Sequence, residues 1–324
     1  MKHLALILLC GFTAAIASAQ LRPPMADNTP PVQLSRDASS FTEGLRLAQV
    51  TETDPAEKVK PDIHYVPTPQ QLVDVMLQMA DVKKGEVLYD LGSGDGRLVI
   101  TAAKNHGARA IGIDIDPQRI AEAKENAAIA NVEDKVEFRQ ADLFKSDFKD
   151  ADVITLYLLD QLNRRLRPQI FAQVKPGTRI VSHAFSMGDW EADSERTVKI
   201  KGSEYNAYFW VVPGNMSGRW EISADRNAKG VPETVLVEQT FQKIAVRPAD
   251  GGDVIGEGNL NGTEFTLTLR NAAGGNATTF TGTIDGNSIK ASGSGKGGSW
   301  KAEREPGSEK PIDPGNDRPV EAGT

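Results

Sequence analysis

The run Val87-Leu88-Tyr89-Asp90-Leu91-Gly92-Ser93-Gly94-Asp95-Gly96-Arg97 restricts the fold of this chain more than any other stretch. Its first five residues are a short apolar run with the character of a buried strand. The run closes on an acid and then on glycines at alternate positions, and residues 98–104 continue as a helix. The reading is strand, glycine turn, helix. Glycines are needed because the turn takes backbone angles that a Cβ forbids, and because a ligand laid on the turn must reach bare main chain. Their spacing selects among ligands. A dinucleotide fingerprint G-x-G-x-x-G would put its third glycine at position 97, which is Arg97, and no G-K-[ST] follows to form a P-loop.

Strands and helices keep alternating after the turn. Residues 109–117 read as a second strand ending in acids, and Asp114 stands 24 positions after Asp90. Rossmann-like folds place the carboxylate that accepts hydrogen bonds from ribose hydroxyls at about this interval. Asp116 suits either that diol or the N-cap of a helix over 117–130. Residues 136–144 form a third strand and its exit, with Asp142 directly after the strand; residues 152–157 form a fourth and 178–185 a fifth. Two more strands, 197–200 and 207–212, make a terminal antiparallel hairpin. The pattern predicts an α/β domain over 61–213, a doubly wound, mostly parallel sheet with helices on both faces. Ligands of such sheets lie outside the carboxyl ends of the strands, which gathers Asp90, Asp114 and Asp142 and sets Tyr157 and Asp160 at the exit of the fourth strand. Arg164, Arg165 and Arg167 read as a solvated helix face.

The two ends of the chain differ from this domain. Lys2 and His3, an apolar run over 4–17 and Ala17-Ser18-Ala19 form a secretory signal over 1–19, so the protein is expected to be exported, periplasmic or secreted. The apolar run is too short to span a membrane comfortably, so the mature chain is expected to have no transmembrane span. Leu9 before Cys10 is too large for a lipobox, and cleavage would remove the only cysteine, which excludes thiolate chemistry. Residues 20–60, rich in Pro, Asp, Thr and Ser, read as a flexible linker, and 305–324 as a disordered tail. Over 216–304 the chain turns to strand-like segments at 220–223, 234–241, 254–260, 264–270, 278–284, 288–292 and 300–303. Leu260-Asn261-Gly262-Thr263 and Ile284-Asp285-Gly286-Asn287 are hairpin turns. This rhythm predicts a small antiparallel β-barrel or sandwich, lipocalin-like in spacing, serving as a binding or docking module. It holds no cluster of metal-ligating residues, and no metal is expected.

Ahead of the glycine turn, Thr68 and Pro69 suit the N-cap and first position of a helix whose apolar face is Leu72, Val73, Met76 and Leu77. His64 and Tyr65 fit either a packed turn or a pocket wall. Acidic residues outnumber basic ones 44 to 37, which disfavours a nucleic-acid partner, since that needs a basic face. Nothing in the sequence signals an oligomeric state.

The D-x-G-x-G-x-G spacing beginning at Asp90 resembles the nucleoside-binding loop of class I S-adenosylmethionine (SAM) methyltransferases. Together with Tyr65-Val66-Pro67-Thr68-Pro69 and Gly112-Ile113-Asp114, it resembles the lysine methyltransferase family that includes the mitochondrial ATP synthase c-subunit methyltransferase and its archaeal relatives. The resemblance spans 61–213. It implies a seven-stranded Rossmann-like fold with SAM as cofactor, contacted at Tyr65, Asp90, Gly92, Ser93, Gly94, Gly96, Asp114, Ile115 and Asp142, the last toward the adenine amino group. A lysine acceptor must arrive as the neutral amine, and an aromatic channel disfavours its charged form. Tyr65, Tyr157, Phe185 and Trp190 are the candidates to line that channel and to hold a methylated ammonium by cation–π contact. Asp160 either orients the amine or caps a helix. The export signal and the added β domain depart from the mitochondrial members and leave the acceptor open between a protein lysine and a small molecule. They also admit a different class, an exported, non-catalytic nucleoside-binding or envelope-interaction protein.

Overall fold

A computed structural model of the protein describes residues 64–226, 228, 231–270, 277–294 and 297–312. The signal segment, the linker over 20–60 and residues 313–324 of the expected disordered tail lie outside the described residues. The first part of that tail, 305–312, is instead bonded to the β domain, where the Arg219 amide donates to Ser308 Oγ at 3.0 Å and the Lys310 amide to Ser217 Oγ at 3.1 Å.

Helix α1 (Gln70–Met79) buries Leu72, Val73, Met76 and Leu77, the face expected from their spacing. It leads into β1 (Val87–Leu91), α2 (Arg97–Thr101), β2 (Arg109–Asp114), α3 (Pro117–Ala130) and β3 (Val136–Gln140). Then come β4 (Val153–Leu156), α4 (Asp160–Gln173), β5 (Arg179–His183), β6 (Ser194–Ile200) and β7 (Ser203–Val211). The seven strands form one sheet in the order β3-β2-β1-β4-β5-β7-β6. Strands β1 to β5 are parallel, while β7 runs antiparallel to both β5 and β6. Because the order runs outward in both directions from β1, the strand ends part between β1 and β4 and leave a crevice at their carboxyl edge. Leu88, Leu91, Ile111, Ile154, Leu156 and Ile180 are all fully buried, as strands covered on both faces require.

The second part is a closed barrel, which decides between the barrel and sandwich alternatives. Its strands are β8 (Gly218–Ala224), β9 (Thr234–Thr240), β10 (Lys243–Pro248), β11 (Gly256–Asn261), β12 (Glu264–Leu269), β13 (Thr278–Asp285), β14 (Ser288–Gly293) and β15 (Ser299–Arg304). Each pairs antiparallel with its neighbours, and β8 closes against both β15 and β9. Strand β10 is absent from the sequence reading, because the turn before it, Phe241-Gln242, contains no Gly, Asn or Asp although Phe241 takes φ +53°. Along β12 the side chains alternate, Phe265, Leu267 and Leu269 inward and Glu264, Thr266 and Thr268 outward. Trp220, Phe265, Phe280 and Trp300 fill the interior and leave a cavity of about 10 Å³, too small for a ligand. Among the described residues the interior is filled by side chains, in contrast to the ligand-holding lumen of a lipocalin.

Candidate active site

The crevice at the ends of β1 and β4 opens into a cleft of about 440 Å³, within the range of small-molecule sites. Its first wall is the glycine turn. Gly92 and Ser93 donate backbone hydrogen bonds to the Ile113 carbonyl at 2.8 and 3.0 Å. The Gly94 amide donates to Asp114 Oδ2 at 2.8 Å, and the Asp116 amide to Asp114 Oδ1 at 2.9 Å. Asp114 therefore sets the turn, lines the cleft, and keeps a further lone pair on each oxygen. Asp116 resolves as the helix cap, accepting from the Gln118 amide at 2.8 Å. Asp142 holds its own exit turn by accepting from the Phe144 amide at 2.9 Å.

Two glycines of the motif serve packing. A Cβ on Gly94 would lie 2.3 Å from the Tyr65 ring, and one on Gly96 would lie 2.7 Å from Phe138 and 3.0 Å from Ala123 of α3. Gly94 thus seats Tyr65 over the turn, and Gly96 lets α2 pack on α3 and β3. Arg97, the residue that breaks the dinucleotide pattern, pairs with Asp95 through Nε and Nη2 and donates from Nη1 to the Thr68 carbonyl at 2.7 Å. The turn and the 64–69 lead-in are joined there. Burial works to raise the Asp95 carboxyl, but the Arg97 guanidinium holds it below its ordinary value.

Asp90 is buried at the floor of this wall and accepts from Thr155 Oγ1 at 2.7 Å. Burial pushes its pKa up to about 7, opposed by the Thr155 bond and reinforced by the nearby Asp114 and Asp95. No cation acts on it among the described residues, and Ser93 Oγ on the same turn is buried without a hydrogen-bond partner. A carboxyl so placed suits a ligand that brings its own positive charge.

The opposite wall is aromatic. Tyr157 stacks on His183 with ring centroids 3.7 Å apart and on Phe185 at 6.0 Å. His183 Nδ1 lies 3.1 Å from Thr68 Oγ1, so Thr68 spends its hydroxyl on the imidazole; the cap position of α1 falls to Pro69. Burial lowers the His183 pKa to about 4 and raises that of the Tyr157 phenol, which keeps both rings neutral.

Of the residues singled out from sequence, His64, Tyr65, Asp90, Gly92, Ser93, Asp114, Ile115, Asp116, Asp142, Tyr157 and Phe185 line this cleft. Four do not. Gly94 and Gly96 stand behind the turn, as described. Asp160 opens α4 and accepts from the Ser186 amide (2.7 Å) and Ser186 Oγ (3.0 Å), so it holds the segment after β5 rather than facing an acceptor. Trp190 is a core residue, 1% exposed and packed on Phe171 and Phe241, and the reading of it as a channel wall is corrected. Arg167 likewise is not on a solvated face; it is buried, donates to the Met187 carbonyl at 2.6 Å and pairs with Asp189. Thr68, Arg119, Phe144 and Leu143 line the cleft without having been singled out for it, and His183 backs it. Only Thr68 had a signal, its place in the Val66-Pro67-Thr68-Pro69 lead-in.

Fold and cleft define a Rossmann-like methyltransferase domain. The ANTKMT methyltransferase domain model matches residues 90–194. The chain is 37% identical over 153 residues to a protein-lysine N-methyltransferase of Saccharolobus islandicus, an alignment covering 47% of this chain and 95% of that protein. It is 29% identical over 129 residues to the mouse lysine N-methyltransferase of the ATP synthase c-subunit, covering 40% of this chain and 51% of that one, so it spans about half the length of such vertebrate relatives. A crystal structure described as an RNA methyltransferase from Salinibacter ruber with S-adenosyl-L-homocysteine (SAH) is 54% identical, covering 47% of this chain and 96% of that one at a TM-score of 0.44. The chain belongs to the methyltransferase family that the ANTKMT domain and the archaeal lysine enzyme represent.

Proposed function

We propose that this SAM-dependent methyltransferase acts on the side-chain amine of a lysine in a protein. The observation that carries the reading is the division of one cleft into an acidic, glycine-turn wall and a neutral aromatic wall. On the first wall Asp114 is set to accept from ribose hydroxyls and Asp142 from the adenine amino group, while Asp90 faces the position for an ammonium group. Gly92, at φ +90°, turns the chain tightly where a Cβ would lie 3.0 Å from Leu158 of the same cleft. Bound SAM supplies an electrophilic methyl group for an in-line displacement, which needs alignment more than covalent help. On the second wall Tyr157 and Phe185 present ring faces. Their apolar surroundings favour the neutral, nucleophilic amine over its ammonium form, and the same rings hold a methylated product by cation–π contact. His183, kept neutral by burial, supports Tyr157 without adding a positive charge that would repel a cationic side chain.

Calorimetric titration with SAM and SAH tests the first wall. Incubation with methyl-labelled SAM and total lysate, followed by separation into protein, RNA and small-molecule fractions, tests the acceptor. Label on lysine in the protein fraction is the expected outcome; label confined to RNA or to small molecules overturns the lysine assignment while leaving SAM use standing. We also propose export, on the composition of residues 1–19; cell fractionation that finds the protein in the cytosol overturns it.

A further inference from the structure

The described barrel interior is filled by its own side chains, yet the barrel enters the core of the methyltransferase domain through Phe241. Phe241, at the β9–β10 turn, is buried among residues of the sheet domain. Its ring stacks on Trp190 at 5.8 Å and 16° and on Phe171 at 6.1 Å, and the Arg167 guanidinium lies 4.9 Å over it. Gln242 donates from Nε2 to the Glu191 carbonyl at 2.9 Å, and Lys243 pairs with the Glu191 carboxylate at 2.8 Å. Every one of these contacts falls on, or directly beneath, the segment from Met187 to Asp193.

That segment continues the one bearing Phe185. Arg167 reaches from α4 under Phe241 to the Met187 carbonyl, and Asn163, one turn earlier, donates to the Phe185 and Ser186 carbonyls at 3.3 and 3.1 Å. Asp160, at the start of the same helix, holds the Ser186 amide. Ala184 and Phe241 both hold left-handed backbones, φ +64° and +53°, which side-chain-bearing residues keep only when their surroundings over-determine them. Gln239 completes the support by donating to the Phe241 carbonyl at 2.7 Å and the Gly214 carbonyl at 2.9 Å. The archaeal relative is 95% covered by an alignment that takes in only 47% of this chain, so it has no room for such a barrel.

We propose that Phe241 is a positioning residue of the methyltransferase: the barrel serves as the fixed support of the 184–193 segment and through it sets Phe185 on the acceptor wall. The proposal rests on the methyltransferase reading only for the meaning of Phe185 in the cleft. The support itself is a property of the folded chain.

The test uses the full chain and three measurements. Hydrogen exchange followed by mass spectrometry reads the 184–193 amides without ligand, SAH calorimetry reads the glycine wall, and transfer from labelled SAM to total lysate protein reads the acceptor wall. Phe241→Ala is expected to raise exchange over 184–193 at least tenfold and leave residues 90–97 within twofold. SAH affinity should stay within twofold, while the initial rate of transfer at saturating SAM falls at least fivefold. Phe241→Leu, which keeps apolar volume, should recover most of both losses. Unchanged exchange over 184–193, or an SAH affinity that falls in step with the transfer rate, overturns the proposal. Should Phe241→Ala not fold, Gln242→Ala carries the same exchange expectation at about threefold. A wild-type chain that binds no SAH sinks the cofactor assignment alone, because the exchange arm needs no ligand.

Discussion

The glycine wall and the aromatic wall of the cleft draw their order from different distances along the chain. In the first, Gly94 and Asp116 are held by Asp114, and Gly92 and Ser93 by Ile113, so one strand–turn–helix–strand unit fixes most of itself, with Asp90–Thr155 and Arg97–Thr68 as its links to other elements. In the second, Thr68 meets His183 across 115 positions, and Phe185 depends on α4 and on a turn of the barrel. Each wall also hides one ionisable group, displaced in opposite directions: Asp90 upward to about 7 and His183 downward to about 4. The difference teaches that the methyl donor site is a portable local motif. The proposed acceptor wall is instead a property of the whole assembled chain.

If the glycine wall is self-contained, its largest single dependency is Asp114. Asp114→Ala removes two bonds that shape the turn and both acceptors for a ribose diol. Hydrogen bonds to a charged group contribute about 1.5–3 kcal/mol each, so losing two to the ribose should lower SAH affinity on the order of 100-fold to 10,000-fold. Exchange over 184–193 should not change. A loss of only a few-fold by calorimetry would mean that another group holds the ribose, and added exchange over 184–193 would mean that the two walls are coupled after all.

The paired ionisable groups give the next effect. Asp90 favours the fold while protonated: its contribution is whole below 3.8 and is lost as pH rises through about 7. His183 favours the fold while neutral: its contribution is whole above 6.5 and is lost as pH falls through about 4. From about pH 4 to 6.5 the two trends oppose each other, each at about 1.4 kcal/mol per pH unit. Asp90→Asn should unmask stability that rises with pH across this window, and His183→Gln stability that falls with it. Urea unfolding of both variants against the wild type checks this, with all other groups cancelling in the difference. Equal slopes in the two variants would show that these groups do not titrate as their burial requires.

What could be read from the sequence follows the same division. The strand-end acids Asp90, Asp114 and Asp142 were legible because strand exits recur at local intervals, and the barrel hairpins at Asn261-Gly262 and Asp285-Gly286 because those turns carry their own chemistry. Strand β10 was not, since its turn takes a left-handed residue, Phe241, for a tertiary reason. Arg167 and Trp190 were misassigned for that reason too. A charged helix residue and a tryptophan among glycines and acids look solvated or ligand-facing until a barrel about 50 residues downstream of Trp190 covers them. His183 carried no local sign of its role, because its partners Thr68 and Tyr157 lie on other elements.

The smallest effect concerns the edge of the glycine wall, where self-containment is weakest. Tyr65 is 40% exposed, lies against the bare Gly94 backbone and carries the Arg119 guanidinium 4.8 Å from its ring centroid. The ring thus closes over the turn with one side pinned by the shape of a glycine and the other by a cation from α3. Gly94 only permits that position; the Tyr65 hydroxyl is held by Asp95 and the ring by Arg119, and an exposed cation–π contact of this kind is worth about 0.5–1 kcal/mol. Arg119→Gln should therefore weaken SAH binding by roughly 2- to 5-fold, and Arg119→Lys, which keeps a cation over the ring, by less. A loss above about 20-fold, far beyond one such contact, would show that Arg119 touches the ligand itself. No loss at all would show that packing on Gly94 and the bond to Asp95, both within the glycine turn, suffice to hold Tyr65, and the glycine wall would then be self-contained to its rim.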